Sequence, residues 1–294
     1  MRVGRRVVLA GLLQGCAAPF VPLGDVPSSS EAEALLTAGA VAHGSAALAG
    51  IADISVRYAG QWRPLVGRMQ PELVDEGFRG GSEERLLLGP RLVGQAHTGP
   101  LGMKQVVRHA GRGAEGDVRV WFNGTEARDR KRRDAAALVA DGYGLFLLGP
   151  MSLVGKDRVV TLAMAPAERI TVFDETCECD VVRASLAPGL GFSERDELLV
   201  YLDRATRLMR RVRFTLDGLE STQGAIAEVD TGGHVLRHGV QWPTRFHERL
   251  LRPVPLGVHD WRLEGLDVNR GMTTDEVETV RFEGKAKASA ALLF

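Results

Sequence analysis

Cysteine is scarce in this 294-residue chain, with three copies in all, and the scarcity removes two classes at once. A small disulfide-stapled scaffold needs dense cysteine pairs, and a structural zinc site needs four ligands. Cys177 and Cys179 offer two thiols with no second pair. On a strand they share one face at about the outer limit for bridging, so their bonding stays open and no metal site is assigned. Net charge is missing too. The 37 basic and 37 acidic residues cancel, so the basic excess that nucleic-acid binding exploits through counterion release is absent. Nor does any stretch of about 18 uncharged apolar residues occur beyond the N-terminus to span a bilayer. Motifs for chemistry are equally wanting. There is no Gly-x-Ser-x-Gly elbow, no phosphate loop and no His-Glu-x-x-His helix, and Gly189-Leu190-Gly191 stops short of a dinucleotide turn. Neighbouring carboxylates such as Glu83-Glu84 and Asp196-Glu197 point apart on a strand. The chain therefore reads as a non-enzyme without cofactors. A histidine- or metal-dependent hydrolase would require His97, His247 and His259 to converge.

What is present begins at the N-terminus. Arg2, Arg5 and Arg6 precede a short apolar run from Val7 to Leu13, which closes on Leu12-Leu13-Gln14-Gly15-Cys16. A basic leader, an apolar stretch and a small residue before cysteine resemble the bacterial lipobox. That resemblance implies that residues 1–15 are a signal peptide and that Cys16 is lipidated, carrying palmitate or a similar chain, as the first mature residue. It also implies a lipid-anchored protein of the bacterial cell envelope. Ala17 rather than Asp after the cysteine points to the outer membrane, facing the periplasm. Residues 16–30 are rich in proline and serine without periodicity and read as a flexible tether.

Ser30 is positioned to cap a helix from Glu31 to about Leu48, with Glu33 in its first turn. Beyond it the pattern has period two. Ile54, Val56, Tyr58 and Trp62 alternate with polar residues, as do Val118, Val120 and Phe122, which end at the turn pair Asn123-Gly124. Leu198, Val200 and Leu202 repeat the alternation, followed by Leu208, Val212, Phe214 and Leu216. Such strands predict a large antiparallel sheet that is dry on one side. One helix interrupts them in mid-chain: Asp134 caps Ala135 to Leu148, Gly149-Pro150 stops it, and Leu138 and Phe146 fall on its buried stripe. The basic run from Arg128 to Arg133 before it reads as a solvated loop. Residues 283–294 are low in complexity and read as a disordered tail.

The strand, tight turn and returning strand from Leu198 to Val212, with Asp203-Arg204-Ala205-Thr206 at its turn, resemble hairpins of the LolA/LolB-like lipoprotein carrier superfamily. The segments Ala140 to Pro150 and Val240 to Phe246 resemble a bacterial set of LolA-like proteins. The resemblance implies an α+β fold over residues 31–282: a single large curved antiparallel sheet, an incomplete β-barrel, with an N-terminal helix and a mid-chain lid helix. It further implies binding of a lipid or a lipoprotein acyl chain in an apolar cavity and assistance with transfer or insertion at the outer membrane. Tyr58, Trp62, Phe122, Leu138, Phe146, Val212, Phe214, Trp242 and Phe246 are the candidate lining. A lipid anchor fits the anchored receptor type better than a soluble shuttle. The alternative is a lipid- or stress-sensing interaction module that regulates a protein partner, with the Arg128–Arg133 run as its contact surface.

Overall fold

A computed structural model describes Phe20 and residues 27–110, 117–155 and 159–293. The signal peptide, Cys16 and most of the tether lie outside the described residues. Among the described residues fifteen strands form in the order β1 Asp53–Trp62, β2 Gly81–Leu87, β3 Leu92–Gly99, β4 Gly102–His109, β5 Val118–Phe122, β6 Thr125–Glu126, β7 Val159–Val172, β8 Glu175–Leu186, β9 Asp196–Asp203, β10 Met209–Thr215, β11 Ile226–Gly232, β12 Val235–Arg237, β13 Val240–Trp242, β14 Arg245–Arg252 and β15 Leu256–Val268. Thirteen make one sheet in the order β6-β5-β4-β3-β2-β1-β15-β14-β11-β10-β9-β8-β7, and β12 with β13 form a separate hairpin. Every described pairing is antiparallel, and the end strands β6 and β7 do not pair with each other, so the sheet stays open. This is the expected α+β architecture.

Local chemistry explains the turns. Asn123 and Gly124 both take positive φ, 51° and 83°, the conformation that a two-residue hairpin between β5 and β6 requires. At the β9–β10 turn the Asp203 carboxylate accepts from Ala205 N at 2.9 Å and from the Thr206 hydroxyl at 3.0 Å.

Two helices occupy the concave side. The first, α1 (Ser30–His43), is capped by Ser29, whose Oγ accepts from Ala32 N at 3.4 Å. The expected helix to Leu48 is split because Gly44 takes a left-handed backbone (φ 96°) that ends α1, a position only glycine fits since a Cβ there would lie 2.2 Å from the Gly239 carbonyl oxygen; a short α2 (Ser45–Leu48) follows. The mid-chain helix is α5 (Arg130–Leu148), numbered after the short α3 (Pro64–Met69) and α4 (Pro71–Val74). It starts earlier than expected. Asp129, not Asp134, is its cap, accepting from Arg132 N at 3.0 Å, so the basic run from Arg130 forms the first helical turn rather than a loop. Arginine and lysine are good helix formers, and Asp134 lies beside Arg130 at i,i+4, offsetting cations placed at a helix N-terminus. By length and composition α5 with its following turn could cross a bilayer, yet most of it is buried inside the sheet.

The tail also differs from expectation. Residues 283–289 pack on the convex face with Ala286 buried, and residues 290–293 run alongside the end of β15, where Ala290 is buried and Leu293 joins the main core. The physical reason is Arg85, whose outward-facing guanidinium donates to Ala286 O at 2.8 Å and Ala288 O at 2.9 Å. Backbone bonds from Leu266 N to Ala291 O and from Leu293 N to Glu264 O complete the attachment. Upstream, the Asp53 carboxylate accepts from the backbone N–H groups of Arg270, Gly271 and Met272.

The helix α5 is tied to the sheet by a buried pair. Arg108 on β4 donates to Asp141 at 3.0 Å and to Gly191 O at 2.9 Å, and the Asp141 carboxylate also accepts from Gly191 N. Removing one partner strands the other charge. Asp141→Ala is expected to destabilise the protein by about 3–5 kcal/mol in denaturant unfolding, whereas Arg204→Ala, in an exposed ion pair with Asp180, should leave the unfolding midpoint nearly unchanged.

Candidate ligand site

Strand register builds the concave face row by row. Tyr58, Ser82, His97 and Lys104 stand side by side across β1 to β4, and Val56, Glu84, Gln95 and Val106 form the next row. On the other side of β1, Trp62 faces His259, which faces Glu248, while Gly60 faces Trp261, which faces Phe246. These rows run under Tyr143 of α5.

Four rings stack in series. Trp62 lies on His259 with centroids 4.2 Å apart, His259 on Trp261 at 4.6 Å, and Trp261 on Phe246 at 4.9 Å with the planes 4° apart. Gly60 makes room for the stack, since a Cβ there would lie 2.6 Å from His259 Nε2. Arg79, from the turn before β2, sits over the Trp62 ring at 4.9 Å and donates to the Tyr143 hydroxyl at 3.4 Å. That hydroxyl lies 3.2 Å from His259 Nδ1. Trp62, Arg79, Tyr143, His259 and Trp261, with Tyr58, Ser82 and His97, line a half-open cavity of about 20 Å³.

Burial sets the protonation of the cluster. It holds His97 and His259 well below the usual histidine range, and the Arg79 charge acts in the same direction. Kept neutral, His259 accepts at Nδ1 from the Tyr143 O–H, which gives a donor chain from Arg79 through Tyr143 to His259. Burial pushes Glu84 up to about 8, opposed by its bond from Gln95, and Glu248 up to about 7. Lys104 is lowered to about 8 by burial, opposed by its ion pair with Asp75.

A second feature is apolar. Between the C-terminal half of α5 and the β2–β3 connection lies a cleft of about 190 Å³ lined chiefly by Leu48, Leu86, Leu88, Leu145, Leu148 and Met151, with Gly144 on the helix side. It shares Leu48, Leu87, Leu88 and Met151 with a wider cleft of about 910 Å³ that reaches Ile51 and Met272. A Cβ on Gly144 would meet no heavy atom within 4 Å, so this helical glycine faces open space.

The nine candidate lining residues are placed as follows. Tyr58, Leu138, Phe146, Val212, Phe214, Trp242 and Phe246 belong to one packed cluster in which Phe146 lies 5.5 Å from Phe214 and 5.9 Å from Trp261. Trp242 enters that cluster from the β12–β13 hairpin rather than from the large sheet, its Nε1 donating to Arg237 O at 2.9 Å. Trp62 is partly exposed at the rim of the polar cavity. Phe122 sits at the start of α5, 5.0 Å from Phe78 and under Arg132. None of the nine lines the leucine cleft; Tyr58 and Trp62 line the polar cavity. His97 and His259 share that cavity, while His247 points to the other face of the sheet and bonds Asp260 at 2.6 Å, so the three do not converge. Among the described residues no group of three His, Cys, Asp or Glu could hold a metal. Cys177 and Cys179 are free thiols on the outer face of β8, with Sγ atoms 3.6 Å apart.

Sequence reasoning passed over Arg79, Glu84, Gln95, Lys104, Arg108, Tyr143 and Glu248. Their alternation, as in Ser82-Glu84 and Gln95-His97, looks the same as that of a solvated strand face. The available signal was the spacing of His259 and Trp261 by two, which puts both rings on one face.

These shifts have opposite consequences with pH. The histidines His43, His97, His234 and His259 are all lowered by burial, so the stability they permit is present above about pH 6.5 and is lost as pH falls. Glu84 and Glu248 are raised, so their contribution is present below about pH 4.5 and lost as pH rises to about 8 and about 7. The two sets oppose each other between these limits. Unfolding free energy is expected to decline from pH 6.5 to 8, by up to about 1.4 kcal/mol per unit per group, and Glu84→Gln should flatten that decline in denaturant titrations at several pH values.

No family model matches the sequence, and no curated protein matches it. Solved structures do. An outer membrane lipoprotein-sorting protein domain from Vibrio parahaemolyticus is 9% identical over 84% of this chain and 96% of its own, with a TM-score of 0.50. A DUF1329 family protein from Desulfovibrio piger is 10% identical over 87% of this chain and 100% of its own, at 0.51. A LolA superfamily protein from Nitrosomonas europaea is 12% identical over 84% and 97%, also at 0.51. An open antiparallel sheet with an N-terminal helix and a mid-chain helix laid in its concavity is thus a LolA-like fold, shared with lipoprotein-sorting domains and resting on architecture rather than sequence.

Proposed function

We propose that this chain is a lipid-anchored protein of the bacterial envelope that binds an acyl chain, of a lipid or of a lipidated protein, and assists its transfer or insertion at the outer membrane. The supporting observation is the leucine- and methionine-lined cleft along α5, in a fold shared with an outer membrane lipoprotein-sorting protein domain. Saturated chains need burial and few polar contacts, at about 25 cal/mol per Å². The cleft supplies flexible aliphatic side chains beside a helix glycine that leaves a slot. In the described state the aromatic interior is filled by its own rings. In this reading the nine candidate residues line the site once α5 shifts outward, and the cleft is the way in. The lipid on Cys16 would keep the domain at the membrane surface, since one acyl chain binds weakly and several bind firmly.

Two measurements test the reading. Native mass spectrometry of detergent-free wild type is expected to show co-purified lipid, and Gly144→Phe, which fills the slot, is expected to lose it. Gly144→Ala should keep the lipid and raise stability by roughly 0.5–1 kcal/mol, because alanine replaces glycine inside a helix. Lipid-free wild type, or unchanged loading of Gly144→Phe, overturns the proposal. For the anchor, Cys16→Ser is expected to move the protein from the membrane fraction to the soluble one and to remove the acyl mass. An unmodified, uncleaved wild-type chain overturns that part alone.

A further inference from the structure

The polar cavity under Tyr143 does not follow from acyl binding, which needs no buried cation. Arg79 is 8% exposed and His97 is 1% exposed, and both line the cavity. Arg79 Nη1 and His97 Nε2 are buried without a hydrogen-bond partner. The remaining contacts of Arg79 are the Tyr143 hydroxyl and the faces of Trp62 and Tyr143. Among the described residues no carboxylate is within ion-pair distance of it. The carboxyl groups that face it, Glu84 and Glu248, are pushed up to about 8 and about 7 by burial, against the opposing pull of the Arg79 charge, so near neutral pH Glu84 is mostly neutral and Glu248 about half ionised. A buried guanidinium with an open donor, beside an imidazole with an open nitrogen, is costly unless something occupies them.

We propose that this cavity is a binding site for the phosphate group of an anionic ligand, with Arg79 and His97 as its donors. Two donors on different elements can share one phosphate oxygen, whose lone pairs accept more than one hydrogen bond. The open volume of about 20 Å³ takes one phosphate oxygen at the two donors, and Gly81 and Ser82 at the rim are half-buried, so the phosphorus, its other oxygens and the rest of the ligand lie toward the opening. β2 carries both features. Ser82 lines the polar cavity and Leu86 the apolar cleft, four residues or roughly 13 Å apart along one strand. A phospholipid held by its headgroup at Arg79 would direct its chains along α5 into the cleft. This extension to a lipid source rests on the acyl-binding reading, while the phosphate site itself does not.

The experiment is calorimetric titration of the full protein, freed of co-purified lipid, with dihexanoylphosphatidate, dihexanoylglycerol and inorganic phosphate. Wild type is expected to bind the phosphatidate about tenfold or more tightly than the glycerol. Arg79→Gln should abolish that preference without weakening the glycerol. His97→Phe, a second variant should Arg79→Gln fail to fold, should reduce the preference several-fold. Equal affinity of wild type for both lipids, or a preference that survives in Arg79→Gln, overturns the phosphate site and leaves acyl binding standing. Binding of inorganic phosphate to wild type but not to Arg79→Gln, with neither lipid bound, supports the phosphate site with free phosphate as the source and removes the acyl reading. Absence of all three overturns both.

Discussion

An open sheet thirteen strands wide cannot dry its concave face alone, and the placement of α5 in that concavity is what the rest of the structure depends on. A closed barrel fills itself with facing strands. Here β6 and β7 stay apart, so helix side chains must supply the opposite wall. The rings of Phe146 and Tyr143 meet Phe214, Trp261 and Tyr58, and the Arg108–Asp141 pair holds the helix at β4. Aromatic packing supplies the area, and the ion pair fixes where along the sheet the helix lies.

The same helix divides the concavity by chemistry. Toward its C-terminal end the walls are chiefly leucine and methionine with space between them, and near Tyr143 they are arginine, histidine and serine beside a four-ring stack. One strand, β2, passes from the second environment to the first. An apolar slot and a cationic pocket on one strand suit an amphiphile better than either would alone, which is why the acyl and phosphate proposals reinforce each other without depending on the same residues. The outer face is closed differently. The C-terminal segment covers β2 to β5 by packing Val277 and Phe282 there and by giving backbone carbonyls to Arg85.

Much of the fold was legible because it is written in short-range chemistry. The alternation from Ile54 to Trp62 became β1, Asn123-Gly124 became the positive-φ turn, and Gly149-Pro150 ended α5. The failures have a common cause. Glu84, Gln95, His97 and Lys104 carry the period of a wet strand face, and only the presence of a covering helix makes that face interior. The tail from residue 283 lacks any period, because it is held by Arg85 and the edge of β15 rather than by a pattern of its own.

What the chain's own order of residues determined is therefore the set of strands, their turns, the two principal helices and the apolar stripe of α5, all of which rest on spacings of two to four residues. Which face became the inside, which charges were buried with partners and which without, and where space remained beside Gly144 were decided by tertiary structure alone. These properties belong to rows of side chains drawn from strands far apart in sequence, and no local pattern records which row a helix will cover.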